Sequence, residues 1–300
     1  MDNRSHALPQ SGHPAGLRFF CFGAVALLLA AAAAWGHDFW IEPTRFTPAP
    51  GERVGVGLWS GDRFAGDPVP RSADRMARFS ILTPAGEVPV QGVDGVHPAG
   101  FYTPPAAGAY WIVFESRPRI LTLPAERFER YLREEGLERI IELRRGLSQS
   151  EAAGRESYRR CAKSLVEVGA HGAASGGEIA GCPLELVLET SPPAAAATGR
   201  VKLRLLFEGR PLAGARVAVL RRGAPGAALE SRTDAAGRAS FPLTGEEVWL
   251  IKTVHMEPAP ATSIGVDWQS WWASLTVRLP AAGLPAAPGG GRLRRSPTVE

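Results

Sequence analysis

The sequence predicts a mainly β protein: two β-sandwich domains, Ig-like or prealbumin-like, with a helical insert between them. Three observations carry this. Short stretches with an apolar residue at every second position recur along the chain. Glycine (34 residues) and proline (26) are abundant and favour turns over long helices. A helical apolar period is confined to the middle of the chain, between residues 121 and 168.

The elements follow in order. Residues 1–36 read as a secretory signal peptide. A polar start with Arg4 and Arg18 precedes an apolar run from Phe19 to Ala34. That run is shorter than the about 20 residues a membrane helix needs. Ala34-Trp35-Gly36 supplies small residues at the positions signal peptidase accepts. Cleavage after Gly36 leaves His37 first, whereas a cut after Ala34 would leave Trp35 first. Phe19 and Phe20 before Cys21 argue against a lipoprotein. The expected location is therefore periplasmic or secreted, with no transmembrane span after cleavage.

Residues 37–120 form the expected N-terminal β-sandwich domain. Val54, Val56 and Leu58 alternate with Arg53, Gly55 and Gly57, and Phe79 and Ile81 repeat the pattern. Pro84 to Glu87 is a turn before Val88 and Val90, and Gly108 to Phe114 is the strongest strand. Gly61 to Ser72 reads as a mobile glycine-proline loop. In the insert (121–168), Pro124 suits a first helical turn. Phe128, Leu132, Leu137, Ile140 and Ile141 approximate one apolar face, and Gly136 weakens the middle. Ser148-Gln149-Ser150-Glu151 reads as a capping box for a second helix through Lys163. Residues 169–182 are a glycine- and alanine-rich linker, with His171 exposed in it. Residues 183–280 form the expected second β-sandwich, with strands at Leu184–Leu188, Val201–Phe207, Ala215–Leu220, Trp249–Met256 and Ser274–Leu279. Residues 281–300 are expected to be a disordered tail.

Composition narrows the function. Of the formal net charge of +4, residues 1–36 hold +1 and residues 281–300 hold +2, which leaves +1 for the body. No basic face argues for nucleic acid. Cys21 lies in the export segment. Cys161 and Cys182 remain, an even pair that reads as a disulfide in an exported chain rather than as two buried thiols. Such a bridge is worth about 3 kcal/mol in the loop-entropy model. No nucleophile elbow, phosphate loop or HExxH occurs, so an enzyme is less expected than a binding protein.

The chemistry centres on histidine. A mature N-terminal His37 offers its α-amine and its imidazole from one residue, and both release protons near neutrality. Phe39 and Ile41 anchor one face of its strand. His97 lies in a turn, Val96-His97-Pro98-Ala99-Gly100. His255 shares a strand face with Trp249, Ile251 and Thr253, pointing inward or out of the sandwich end. A hydrogen-bonded structural histidine is the plain alternative there. Asp38 and Asp267 are candidate oxygen donors or supporting partners. An amine-imidazole chelate with a second imidazole suits nickel, cobalt or copper. Trp268, Trp271 and Trp272 read as packing rather than as a glycan platform.

Several motifs together resemble a known family. They are His37-Asp-Phe-Trp-Ile-Glu-Pro after a signal peptide, Val-Asp-Gly-Val-His97-Pro-Ala-Gly, Lys252-Thr-Val-His255-Met and Asp267-Trp with Trp272-Ala-Ser-Leu-Thr. The chain resembles a bacterial domain-of-unknown-function family labelled NikM-like, or nickel uptake substrate-specific, over about His37 to Leu279. The label implies periplasmic handling of nickel or cobalt beside membrane transporter components. It singles out His37, His97 and His255. Two departures stand out. The mature chain has no apolar span to make it the membrane component, and its histidine would be first rather than second or third. The segment Gly209-Arg-Pro-Leu-Ala-Gly-Ala-Arg-Val217, with Thr233-Asp-Ala-Ala-Gly-Arg238, resembles the transthyretin-like or carboxypeptidase-regulatory type of β-sandwich.

The sequence thus reads first as a periplasmic transition-metal-binding accessory protein linked to nickel or cobalt uptake, with copper kept open. A non-enzymatic β-sandwich interaction or structural module is the alternative. A copper oxygenase with a histidine brace is the remote one.

Overall fold

The computed structural model describes residues 37–169, 176–224 and 228–281. The expected signal peptide, His171 and the tail after Ala281 lie outside the described residues.

The chain runs through β1 (Asp38–Pro43), β2 (Val54–Asp62), β3 (Ala65–Val69), β4 (Met76–Thr83), β5 (Gly86–Pro89), β6 (Gly100–Tyr102), β7 (Gly108–Ser116) and β8 (Arg119–Leu123). Two helices follow, α1 (Ala125–Glu134) and α2 (Glu138–Gly146), then β9 (Gly154–Val168) and β10 (Leu184–Leu188). After α3 (Pro192–Thr198) come β11 (Val201–Phe207), β12 (Arg210–Pro211), β13 (Arg216–Arg221), β14 (Leu229–Arg232), β15 (Arg238–Phe241), β16 (Val248–Pro258) and β17 (Trp268–Arg278). The protein is mainly β, as its alternating stretches predict.

These strands make three sheets. A nine-stranded sheet runs β14-β13-β16-β17-β9-β7-β4-β5, with β8 also on β9. A first small sheet holds β1-β2-β3 with β6 on β2, and a second holds β10-β11-β12 with β15 on β11. The two small sheets cover opposite faces of the large one. In β7, Trp111 joins the core under the second small sheet. Its neighbours Tyr110 and Ile112 join the core under the first. Leu165 and Val166 of β9 divide the same way, as alternation along a strand requires. Both sandwiches therefore share one sheet.

β9 corrects the helix expected through Lys163. It is a strand, parallel to β17 and antiparallel to β7. Its last eight residues are all buried. A strand covered on both faces loses the polar-apolar alternation that would reveal it. Its charged first half, at the same time, imitates a helix surface. Gly61–Ser72 also differs from the expected loop. Arg63 and Phe64 take left-handed backbone, with φ of 52° and 62°, and turn β2 back into β3. Phe64 is buried edge-on against Trp40, which offsets the cost of that conformation.

The helices form where their apolar face is expected, and Gly136 at φ 69° separates α1 from α2. Phe128, Leu132 and Ile140 pack with Val254, Met256 and Trp268 of the large sheet. Buried Arg144 pins the turn after α2, donating to the carbonyls of Gln149 and Ala152 at 2.7 Å and to Glu129 at 3.0 Å. α3 has no strong signal beyond Pro192-Pro193 at its start and Gly199 in left-handed backbone at its end.

Candidate functional site

β1 lies antiparallel to β2, with Asp38 opposite Gly61 and Trp40 opposite Trp59. Phe39 and Ile41 enter the core below the sheet. This anchors His37 at the head of β1, beside the end of β2. Its ring Nδ1 lies 3.0 Å from Asp62 Oδ1. Its carbonyl accepts a 3.1 Å hydrogen bond from the Arg160 guanidinium. The side chain is 26% exposed, so solvent reaches the pair.

The other expected ligands lie elsewhere. His97 is exposed, follows Val96 in its turn and precedes Pro98 through a cis peptide bond. Its ring meets Trp59 edge-on at 5.2 Å. Gly57 makes room for both, since a Cβ there would lie 2.7 Å from the Trp59 indole nitrogen and 3.1 Å from the His97 ring. Gly57 and Asp62 are separated along β2 by about 16 Å at a strand's rise of roughly 3.3 Å per residue. His255 packs between Phe207 at 4.5 Å and Trp271 at 6.1 Å. Its Nε2 lies 3.3 Å from Glu257 Oε1. Burial lowers the His255 pKa, with Glu257 opposing.

Both aspartates are committed to cations. Asp38 is buried and accepts from Lys252 Nζ, which also donates to Glu135 at 3.0 Å. Burial works against charge on Lys252, but Glu135 and Asp38 outweigh it and raise its pKa. Burial raises the Glu135 pKa. Asp267 accepts from Arg155 Nε at 2.8 Å, and that hydrogen bond lowers its pKa. Both pairs join segments distant in sequence, which is a structural task.

The structure therefore does not bring His37, His97 and His255 together. Among the described residues, no three His, Cys, Asp or Glu side chains gather as metal ligands. A three-histidine centre does not fit this arrangement, while His37 with Asp62 offers two side-chain donors side by side. Asp62 is the residue that sequence reasoning missed. It lies in the stretch read as a loop, and only the β1–β2 register places it by His37.

Cys161 of β9 and Cys182 are disulfide-bonded, with Cα atoms 6.4 Å apart. The bridge holds the segment before β10 against the large sheet. Buried Lys163 donates to Glu185 there at 2.6 Å, and Glu185 also accepts from the N–H groups of Ala180, Gly181 and Cys182.

Trp268 is buried with the helices, Trp272 stacks on Tyr131 at 5.5 Å, and Trp271 meets Phe207 at 4.8 Å. No helix among the described residues is long and apolar enough to cross a membrane.

The fold and the histidine at the head of β1 define a β protein of three packed sheets with its candidate site at the N-terminal strand. The model of the family described as a domain of unknown function, DUF4198, matches residues 34–257, and the chain belongs to that family. No curated protein matches it. Among solved structures, the human OSCAR ligand-binding domain aligns over 78% of this chain and 96% of its own at 14% identity. Its TM-score of 0.18 is too low to carry any argument.

Proposed function

We propose that the protein is a periplasmic transition-metal-binding accessory, linked to nickel or cobalt uptake, that takes its metal at the mature N-terminus. The supporting observation is His37, fixed at the head of β1 with Nδ1 3.0 Å from Asp62 Oδ1. Cleavage after Gly36 frees the α-amine. Amine and Nδ1 of one histidine close a chelate ring, and Asp62 adds a carboxylate oxygen. Two nitrogens and an oxygen suit nickel, cobalt or copper better than calcium or magnesium. The resemblance to NikM-like proteins supports nickel or cobalt, with membrane transporter components as partners. The oxygenase reading loses support, since a brace needs a second histidine where Asp62 stands. An interaction module remains the second reading. The structural partners of Asp38, Asp267 and His255 favour it for those residues.

The test is metal titration of the exported protein, with its N-terminus confirmed by mass. It is compared with a form carrying one extra N-terminal glycine, His37→Ala and Asp62→Asn. The extension and His37→Ala should each weaken nickel, cobalt or copper binding by about a hundredfold, and Asp62→Asn by about tenfold. Equal binding by all four forms would remove the site from the N-terminus. No binding by any would leave the interaction module as the better reading.

A further inference from the structure

Along β7, β8 and β9, one face of the large sheet carries two different covers. The first small sheet packs on Phe114 of β7 and Ala162 of β9. The helices pack on Leu121 and Leu123 of β8. Between these covers, Arg119 of β8 is paired with Tyr158 of β9, and directly opposed residues share a sheet face. Arg160 is two residues beyond Tyr158 and two before Ala162, so it lies on that face as well. Arg119, Tyr158 and Arg160 thus rise from one face into the gap between the small sheet and the helices.

A cavity of about 90 Å³ opens in that gap. That is room for roughly three waters at their liquid volume. Its walls are largely apolar, with Phe39, Leu58, Val69, Met76 and Phe114, and its charged groups are Arg75, Arg119 and Arg160. No carboxylate of the described residues lines it. The Arg160 guanidinium carbon lies 5.3 Å from the Phe39 ring centre and 5.5 Å from that of Tyr158, and both rings line the cavity. Its Nη2 donates to the His37 carbonyl at 3.1 Å, while Nε is buried without a hydrogen-bond partner among the described residues. Arg75 and Arg119 form no ion pair with a described residue, although Arg78, Arg144 and Arg232 do. Asp74, beside Arg75, accepts from Ser72 Oγ, and Asp38, whose charge acts on Arg160, accepts from Lys252. Burial lowers the Arg160 pKa, with Tyr158 and Asp38 opposing and Arg119 adding to the effect. Guanidinium groups without a counterion repel one another, and a buried donor without a partner is costly.

The geometry points to a binding site for a small aliphatic carboxylate, its head group held by Arg119 and Arg160 with Arg75 at the rim, and its alkyl chain against Phe39, Leu58 and Phe114. A planar carboxylate matches the guanidinium fork and gives Arg160 Nε the acceptor it lacks. The apolar walls stabilise a short alkyl chain by burial. Inorganic phosphate needs donors on every side, which these walls do not supply. The site uses neither the His37 nor the Asp62 side chain and does not depend on metal binding.

The test is titration calorimetry on the whole mature protein at constant ionic strength, with butyrate, uncharged 1-butanol and inorganic phosphate as probes. Butyrate should bind saturably with a Kd of about 1 mM or tighter, and the other two at least about tenfold more weakly. The double variant Arg75→Ala/Arg119→Ala alters two exposed side chains and should keep its circular dichroism and melting temperature. It should bind butyrate at least about tenfold more weakly. Arg159→Ala/Arg210→Ala removes the same charge at two other exposed positions, outside the cavity, and should bind butyrate like the wild type. No saturable butyrate binding by the wild type would overturn the proposal. So would unchanged affinity in Arg75→Ala/Arg119→Ala, an equal loss in both double variants, or 1-butanol or phosphate binding as tightly as butyrate.

Discussion

Glu156 shows how a single buried group can tie stability to pH. It is 1% exposed under the helices. One oxygen accepts from the Tyr131 hydroxyl at 3.1 Å and from Ser270 Oγ, while the other has no partner. Burial raises its pKa, with the Ser270 and Tyr131 hydrogen bonds opposing. Between its unfolded and folded pKa values the native state binds more protons than the unfolded state. The contribution of Glu156 is therefore complete at low pH and is lost as pH rises through the folded pKa. Relative to Glu156→Gln, wild-type stability should fall as pH rises from its acid limit towards neutrality. Urea unfolding of both proteins across that range checks this. Parallel pH profiles would show that Glu156 does not titrate differently in the folded state.

At the scale of elements, legibility followed burial on one face. β2, β4, β7, β10 and β11 each keep enough alternation, or a dense enough apolar run, to be read from sequence. β9 does not, because it is enclosed between β7 and β17 with a sheet against each face. The site was legible only in part for a related reason. Phase along a strand indicates which way His255 points, but not that His97 sits by Gly57 while Asp62 sits by His37. The packing of α1 on β9 gives a test at this scale. A Cβ at Gly154 would lie 2.3 Å from the Phe128 ring, whereas nothing lies within 4 Å of one at Gly146. Gly154→Ala should force α1 away from β9 and cost about 1–3 kcal/mol. Gly146→Ala should be neutral or slightly stabilising. Equal effects in denaturant melts would mean that α1 has room to move at no cost.

For the whole molecule, the shared sheet decides how the fold fails. Residues 37–120 and 183–280 each supply strands to the nine-stranded sheet, and β9 joins them through its center. Leu250, Val254 and Met256 of β16 are buried against side chains from earlier in the chain, among them Trp40 and Phe128. Ile251 of the same strand packs on the second small sheet. Neither half could lose its partner without exposing an apolar sheet face, so both cores should melt together. Leu186→Ala cuts the core under the second small sheet and Ile41→Ala the core under the first. Each should cost about 2–5 kcal/mol, the usual range for removing a large aliphatic side chain from a core. Both should shift one common transition, seen alike by tryptophan fluorescence and far-ultraviolet circular dichroism. Two transitions, with Leu186→Ala moving only one and Ile41→Ala only the other, would show that the sandwiches unfold separately despite the sheet between them.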